Sequence, residues 1–333
     1  YIAYKIITMP IYMDRHDIPK EIKAEHVAKM HQIDLKIEHK FDCKGLTYWC
    51  DEARNTAFCL IEAPNKKAIQ DMHNYAHGEF PHSIIEVDKN IVESFLGRIE
   101  DPENLKNTEL NIINDPAFRI IMVIKTSNYL NRLEGNQLSV FSQKFHNSVS
   151  KSLSRYRGGI VKKDNHSYLV SFKSVSDAVD CAVQIHNKFK YVTLKFDRVN
   201  RKLKIGLSSG TPVTEKDGIF EEAILMSTRM CEIVKGKLIV SSEIKSLYKH
   251  ENRNLLLDES IIRVLTPAEE KFLTHLMDYI EANWNKSKTS VLGISRELGC
   301  SKSQLYRKLT KLSGKSLNSF IREFRLHKAL DLL

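Results

Sequence analysis

The stretch Ser290–Leu333, SVLGISRELGCSKSQLYRKLTKLSGKSLNSFIREFRLHKALDLL, constrains this chain more than any other. Val291, Ile294 and Leu298 recur three and four residues apart, so they share one face of a short helix that Ser290 can cap. Gly299-Cys300 breaks that helix. Ser301, with Gln304 three residues on, forms a capping box for a second helix. In it Leu305, Leu309 and Leu312 face inward, while Lys302, Arg307, Lys308 and Lys311 face out. A capped two-helix unit with a basic second helix is the arrangement that carries side chains into the major groove of DNA. Lys302, Ser303, Gln304, Tyr306, Arg307, Lys308 and Lys311 are the candidate DNA-contacting residues, Lys302 and Gln304 for base edges and Arg307, Lys308 and Lys311 for phosphates. From Lys286 to Lys328 there are eleven Lys or Arg against two acids, a surplus of nine beside a whole-chain net charge of +10. Charge on this scale suits a polyanionic partner, double-stranded DNA.

The strings ELGCSKSQLYRKLTKLSGKS and NSFIREFRLHKALDLL resemble the DNA-binding domain of AraC-type transcription regulators, over about Phe272–Leu333. That resemblance implies two helix-turn-helix units joined by a long helix. Here it covers the first unit and the start of the linker helix, from about Leu317. With one unit, roughly half of the phosphate contacts are present, so these residues by themselves are expected to bind DNA weakly.

A length of 333 residues suggests two or three domains, and 42% hydrophobic with 28% charged residues is ordinary globular composition. The longest apolar run, Ile120–Ile124, is too short to span a bilayer, and the sequence does not open on a signal-peptide pattern. The expectation is a cytoplasmic protein without a membrane partner. Six cysteines (43, 50, 59, 181, 231, 300) are scattered with no C-x-x-C pair, which argues against a zinc ribbon and a disulfide framework.

Residues 1–97 read as an α+β unit: a strand at Ile6–Met13, a helix from near Pro19 to about His39, strands at Gly45–Trp49 and Thr56–Glu62, a helix capped by Asn65 and ended by Gly78, and a strand at Ser83–Val87. The order β-α-β-β-α-β is the ferredoxin-like pattern. Seven of the thirteen histidines lie between His16 and His82. His73 and His77 are four apart on one helix, the spacing that lets two imidazoles share a metal. The strings YMDRHDIP, AKMHQIDL, LTYWCDE, AFCLIEAPN and MHNYAHGEF resemble a family of bacterial nickel-binding, ferredoxin-like proteins. The matching positions are His16, His31, Tyr48, Trp49, Cys59, His73 and His77; His26, His39, His82 and Cys50 fall outside. The resemblance implies a metal site. His16, His31, Cys59, His73 and His77 are its candidate ligands, with Cys59 either a ligand or a core residue of its strand and water able to complete the shell. Imidazole-rich donors suit Ni²⁺ or another late transition metal, exclude Mg²⁺ and Ca²⁺, and are expected to lose affinity below about pH 6.5.

Residues 98–117 are polar, carry two prolines, and read as a linker. The domain at 118–252 opens with a buried strand at Arg119–Lys125, followed by helices at Gln137–Tyr156, Ser176–Phe189 and Ala223–Val234 between strands. GGIVKKDNHSYLVSF, SVSDAVDCAVQIH, LKIGLSSG and STRMCEIVKGKLIVSS resemble class III nucleotide cyclase homology domains. By that resemblance the two metal-holding aspartates would fall at Lys125 and His166 and the transition-state Asn at Leu225, while the associated Arg is present as Arg229. Lysine repels the ions and a lone His does not replace a carboxylate for Mg²⁺, so the domain is expected to be catalytically inactive. The resemblance also implies a homodimer.

Together these readings describe an α+β chain with a ferredoxin-like domain, a cyclase-like α/β domain and an all-α helix-turn-helix domain at 267–333. Its expected role is a metal-responsive transcription regulator that is not an enzyme. The alternatives are a metal-storage protein, or a regulator whose middle domain senses a nucleotide or other small molecule.

Overall fold

The computed structural model describes residues 9–78, 80–102, 110–128, 135–192, 201–253, 255–285 and 291–331. They form two compact units. One comprises residues up to Arg119 with Gly159–Val161 and Gly210–Glu222, and the other comprises the remainder.

The first unit contains β1 (Ile11–Asp17), α1 (Ala24–Ile37), β2 (Lys44–Asp51), β3 (Thr56–Glu62), α2 (Lys66–His77), β4 (Ser83–Val87) and α3 (Lys89–Leu96). Strand order is β2-β3-β1-β4, and β1 runs antiparallel to both of its neighbours. Up to β4 the element order is the expected β-α-β-β-α-β. The first strand differs from its expected Ile6–Met13, of which residues 1–8 lie outside the described ones. Pro10 cannot donate to a ladder, so the strand begins after it and continues through Asp14, Arg15 and His16. Helix α3, additional to the expected elements, is capped by Asp88 and ended by Gly97.

Because side chains alternate across a strand, directly paired residues share a face. Asp14 is paired with Cys59, and Cys59 with Tyr48. That face belongs to a core with Tyr12, Cys50 and Ile61 of the strands, Val27 and Ala28 of α1, and Ile69 and Met72 of α2. Asn65 caps α2 by accepting from the Ala68 N–H, and Gly78 ends it at φ +73°, a left-handed conformation that glycine adopts without strain.

The described ends of the expected linker, 98–117, are packed within this unit. The Tyr48 hydroxyl donates to Asn111 O at 2.8 Å and accepts the Ile113 N–H at 2.7 Å. Arg119, 1% exposed, donates to the carbonyls of Phe95, Leu96, Pro116 and Phe118, and so satisfies the end of α3.

The second sheet is built from β5 (Arg119–Asn128), β6 (Gly159–Lys163), β7 (Ser167–Phe172), β8 (Arg201–Gly210), β9 (Leu238–Val240) and β10 (Ile262–Val264), in the order β10-β9-β8-β5-β7-β6. Helices α4 (Gly135–Arg155), α5 (Val175–Val192), α6 (Glu221–Ile233) and α7 (Ser242–Glu251) lie between these strands in the chain. Four further helices follow: α8 (Pro267–Asn283), α9 (Val291–Glu297), α10 (Lys302–Ser313) and α11 (Leu317–Asp331). Thr266 and Glu269 cap α8, and Ser301 and Gln304 cap α10 as the sequence predicts.

One apolar cluster runs from the sheet into these helices. It joins Met230, Val234 and Ile239 to Leu273, Leu276 and Met277 of α8, Ile294 of α9, Leu305, Leu309 and Leu312 of α10, and Leu317 and Phe320 of α11. Sheet and helices are therefore expected to unfold together. Leu276→Ala is expected to cost about 2–5 kcal/mol. In a Trp49→Phe background Trp284 is the remaining tryptophan, and its fluorescence should report the same urea midpoint as loss of sheet and helix circular dichroism from the second unit. A helical transition at a lower midpoint than that of the sheet would show two separate cores.

Candidate metal centre

The buried polar groups of the first unit converge on one imidazole. Asp14 and His16 lie two residues apart on β1 and therefore on one face of the sheet; Asp34 comes from α1, and His73 and His77 from α2. His73 is 1% exposed, Asp14 0% and Asp34 4%. His73 Nε2 lies 2.9 Å from Asp14 Oδ2, and its Nδ1 lies 3.3 Å from both Asp34 Oδ2 and His77 Nε2. Farther out, His77 Nε2 is 3.5 Å from Asp34 Oδ1, and His16 Nε2 is 3.5 Å from Asp14 Oδ1. Two groups of three metal-capable side chains result, each with its ligand atoms within 4.8 Å of one another: Asp14, His16 and His73, and Asp34, His73 and His77.

Burial raises the Asp14 carboxyl, but the His16 and His73 imidazoles overcome this and hold it far below the ordinary carboxylate range. Asp34 is lowered in the same way by His73 and His77. Burial lowers His73, yet its hydrogen bonds to Asp14 and Asp34 outweigh burial and push it up to about 10. At neutral pH His73 is accordingly an imidazolium between two carboxylates.

A metal ion fits these residues. Among the described residues, His16 Nε2 and Asp34 Oδ1 are buried with no hydrogen-bond partner, only the ionic neighbours at 3.5 Å, an arrangement that costs free energy unless something else meets them. Three imidazoles and two carboxylates form a nitrogen and oxygen donor set suited to late transition metals.

The structure thus brings together His16, His73 and His77 of the five expected ligands. It does not bring in the other two. His31 Nε2 points instead toward Asp101, 3.3 Å from Oδ2, with its ring against Tyr48 at 4.9 Å between centroids. Cys59 belongs to neither group. Its backbone N–H donates to Asp14 Oδ1 at 2.9 Å, and burial with the nearby Asp14 and Asp34 charges pushes its thiol well above the ordinary value, so it stays a neutral core side chain. Sequence reading missed Asp14 and Asp34 as members. The signal for Asp34 lay in the apolar stripe of α1, where Ala24, Val27, Ala28 and His31 lead to a carboxylate on the buried face.

The other expected positions lie in the second unit. Lys125 pairs with Glu232. The His166 N–H donates to Asp164 Oδ1 in the turn between β6 and β7. Leu225 is half-buried on α6. Arg229 is 4% exposed and binds Asp278 and Glu281 of α8 through Nη2 at 2.6 and 2.8 Å. On α10, Lys302, Ser303, Gln304, Tyr306, Arg307, Lys308 and Lys311 are all exposed. The Lys311 ammonium lies 3.4 Å from Glu269, and that of Lys308 lies over the Phe272 ring. No helix among the described residues is long and apolar enough to cross a membrane.

Residues 12–87 match the family described as nickel responsive protein SCO4226-like. The crystal structure of SCO4226 from Streptomyces coelicolor A3(2) is 32% identical over 23% of this chain and 94% of its own, with a TM-score of 0.22. Through this domain the chain belongs to the SCO4226-like family. The SCO4226-like domain spans β1 to β4 and holds every member of both metal-capable groups. Beyond it the identities are lower. An adenylate/guanylate cyclase/hydrolase from Silicibacter pomeroyi is 21% identical over 40% of this chain and 81% of its own, with a TM-score of 0.35. A bacterial light-regulated adenylyl cyclase is 11% identical over 72% and 87%, with a TM-score of 0.32. Comparison with curated proteins gives no match.

The ion-pair network sets the pH dependence of the metal-free protein. His73 has a folded-state value of about 10 against an ordinary 6.5, so its stabilisation is complete below pH 6.5 and is lost as pH rises toward 10. The folded-state values of Asp14 and Asp34 lie below 3.8, so their contribution is present above that pH and is lost as pH falls. Chemical denaturation of the chelator-treated protein should therefore show greatest stability for this unit between about pH 4 and 6.5. His73→Ala, which leaves both carboxylates buried and uncompensated, is expected to lower stability by about 3–5 kcal/mol at pH 6.

Proposed function

We propose that this protein is a metal-responsive, DNA-binding transcription regulator. In this reading the SCO4226-like domain binds a late transition metal, nickel first among them. The C-terminal helices bind double-stranded DNA, and the intervening sheet domain is a cyclase-like scaffold that makes no cyclic nucleotide and pairs the chain as a homodimer. The observation that carries the reading is His73, buried between two carboxylates and in reach of two further imidazoles. A late transition metal is favoured by the nitrogen-rich donor set, and nickel among these metals by the family's description. Asp14, His16, Asp34, His73 and His77 are the residues that would hold the ion. A bound divalent ion supplies positive charge in place of the His73 proton.

Support for DNA as the partner is the surplus of nine positive charges over Lys286–Lys328 and the capped, exposed first turn of α10. Support for an inactive sheet domain is the Lys125–Glu232 pair and the engagement of Arg229 by Asp278 and Glu281, which leaves that guanidinium committed to protein carboxylates. Phosphate-directed catalysis needs both metal carboxylates and a guanidinium able to meet the substrate.

Calorimetric titration of the metal-free chain with Ni²⁺ tests the metal role. His73 must give up a proton to become a ligand, so at pH 7.5 titrations in buffers of different ionisation enthalpy should show about one proton released per ion from this side chain. A His73→Ala, His77→Ala chain that binds Ni²⁺ as tightly as the wild type would remove the site. Gel shifts with and without Ni²⁺ test the DNA role. Lys302→Ala and Arg307→Ala should each weaken binding, and wild-type affinity should fall steeply with salt. The chain should form no cyclic nucleotide from ATP or GTP with Mg²⁺ or Mn²⁺, and protein-dependent product would overturn that part.

A further inference from the structure

The recognition-type helix α10 is fastened at the end away from its DNA-facing turn. The last carbonyls of a helix lack intrahelical donors. On α10 they are met by the sheet domain: Leu312 O accepts the backbone N–H of Lys235 at 2.8 Å and Arg263 Nη1 at 2.9 Å. Arg263 Nη1 also donates to Lys235 O at 2.7 Å, so one guanidinium ties the segment after α6 to the end of α10. Arg263 sits on β10, paired in register with Ile239 of β9, which places its base on the sheet. Glu269, fixed in the capping box of α8, lies 3.7 Å from the same guanidinium and 3.4 Å from the Lys311 ammonium. The chain leaves α10 through Gly314 at φ +74°, where a Cβ would stand 3.4 Å from Lys235 Cδ. The two segments therefore touch closely as well as hydrogen-bond.

We infer that Arg263 and Lys235 are positioning residues for α10, so that the sheet domain, and not a tether, sets the angle at which the helix meets DNA. The inference rests on the DNA-binding reading above. Leverage makes the clamp matter. A helix of 12 residues is about 18 Å long. Tilting it by about 10° at Leu312 moves Lys302 and Gln304 by about 2–3 Å, enough to take either out of hydrogen-bonding reach of a base edge. The guanidinium adds positive charge beside the negative end of the helix dipole, which favours the same arrangement.

The test uses the full chain and a duplex that it selects from a random-sequence pool, with an unselected duplex as control. Arg263→Ala should weaken the selected duplex by roughly tenfold or more, the loss expected when one base contact goes out of register, and change the unselected duplex by less than about twofold. Arg263→Lys, which can still reach one carbonyl, should recover part of the loss. Without DNA, amide exchange over 305–314 should be faster in Arg263→Ala than in the wild type. Should Arg263→Ala fail to fold, Arg263→Gln and Arg263→Lys carry the comparison. Equal losses on both duplexes with a shallower salt dependence would mark Arg263 as a phosphate contact and overturn the inference, as would unchanged affinity for the selected duplex. If the wild type selects no duplex, the DNA reading falls, and the exchange measurement still decides the clamp: unchanged protection overturns it.

Discussion

A protonated imidazole held between two buried carboxylates governs the first unit. His73 meets Asp14 through one ring nitrogen and Asp34 through the other, and removal of any of the three would leave charge in a low-dielectric interior. The three elements that supply these groups are fixed in consequence: β1 by Asp14, α1 by Asp34, α2 by His73. Two more imidazoles flank these carboxylates, His16 beside Asp14 and His77 beside Asp34.

The same network explains a shift in the expected pH response. Isolated imidazoles would compete with protons below about pH 6.5, the unperturbed range. The carboxylates that pull His73 up to about 10 extend that competition through neutrality, so in the proposed metal-binding role this side chain would exchange its proton for the ion under ordinary conditions. Asp14 is itself held by the Cys59 backbone N–H, which makes β3 part of the site through its main chain and not through the thiol.

In the second unit the controlling feature is continuity of the core. Leu305, Leu309 and Leu312 do not seal a small domain of their own; they pack into a cluster that includes Ile239 of the sheet and Met230 and Val234 beside it. Arg229, buried among the same elements, spends its hydrogen bonds on Asp278 and Glu281 of α8. This guanidinium joins helix to helix.

The sequence by itself determined what depends on near neighbours. Capping boxes at Ser301–Gln304, the cap at Asn65, the glycine stop at Gly78 and the three- and four-residue spacing of the leucines in α10 are contacts within one or two turns, and all are present. His73 and His77 were legible for the same reason, since one helical turn fixes their common face. Tertiary structure decided the rest. Whether His31 and Cys59 join the site depends on what stands opposite them: His31 faces Asp101, 70 positions away in the chain, and the Cys59 side chain sits in the apolar core. Asp34 follows the apolar stripe of α1, but a carboxylate on an amphipathic helix is ordinarily a surface group, and its pairing with His73 of α2 is a tertiary contact. Residues 110–117 of the expected linker read so because polarity and proline carry no information about a partner. The Tyr48 hydroxyl that receives them is supplied by a strand more than 60 residues earlier, a pairing that no local pattern encodes.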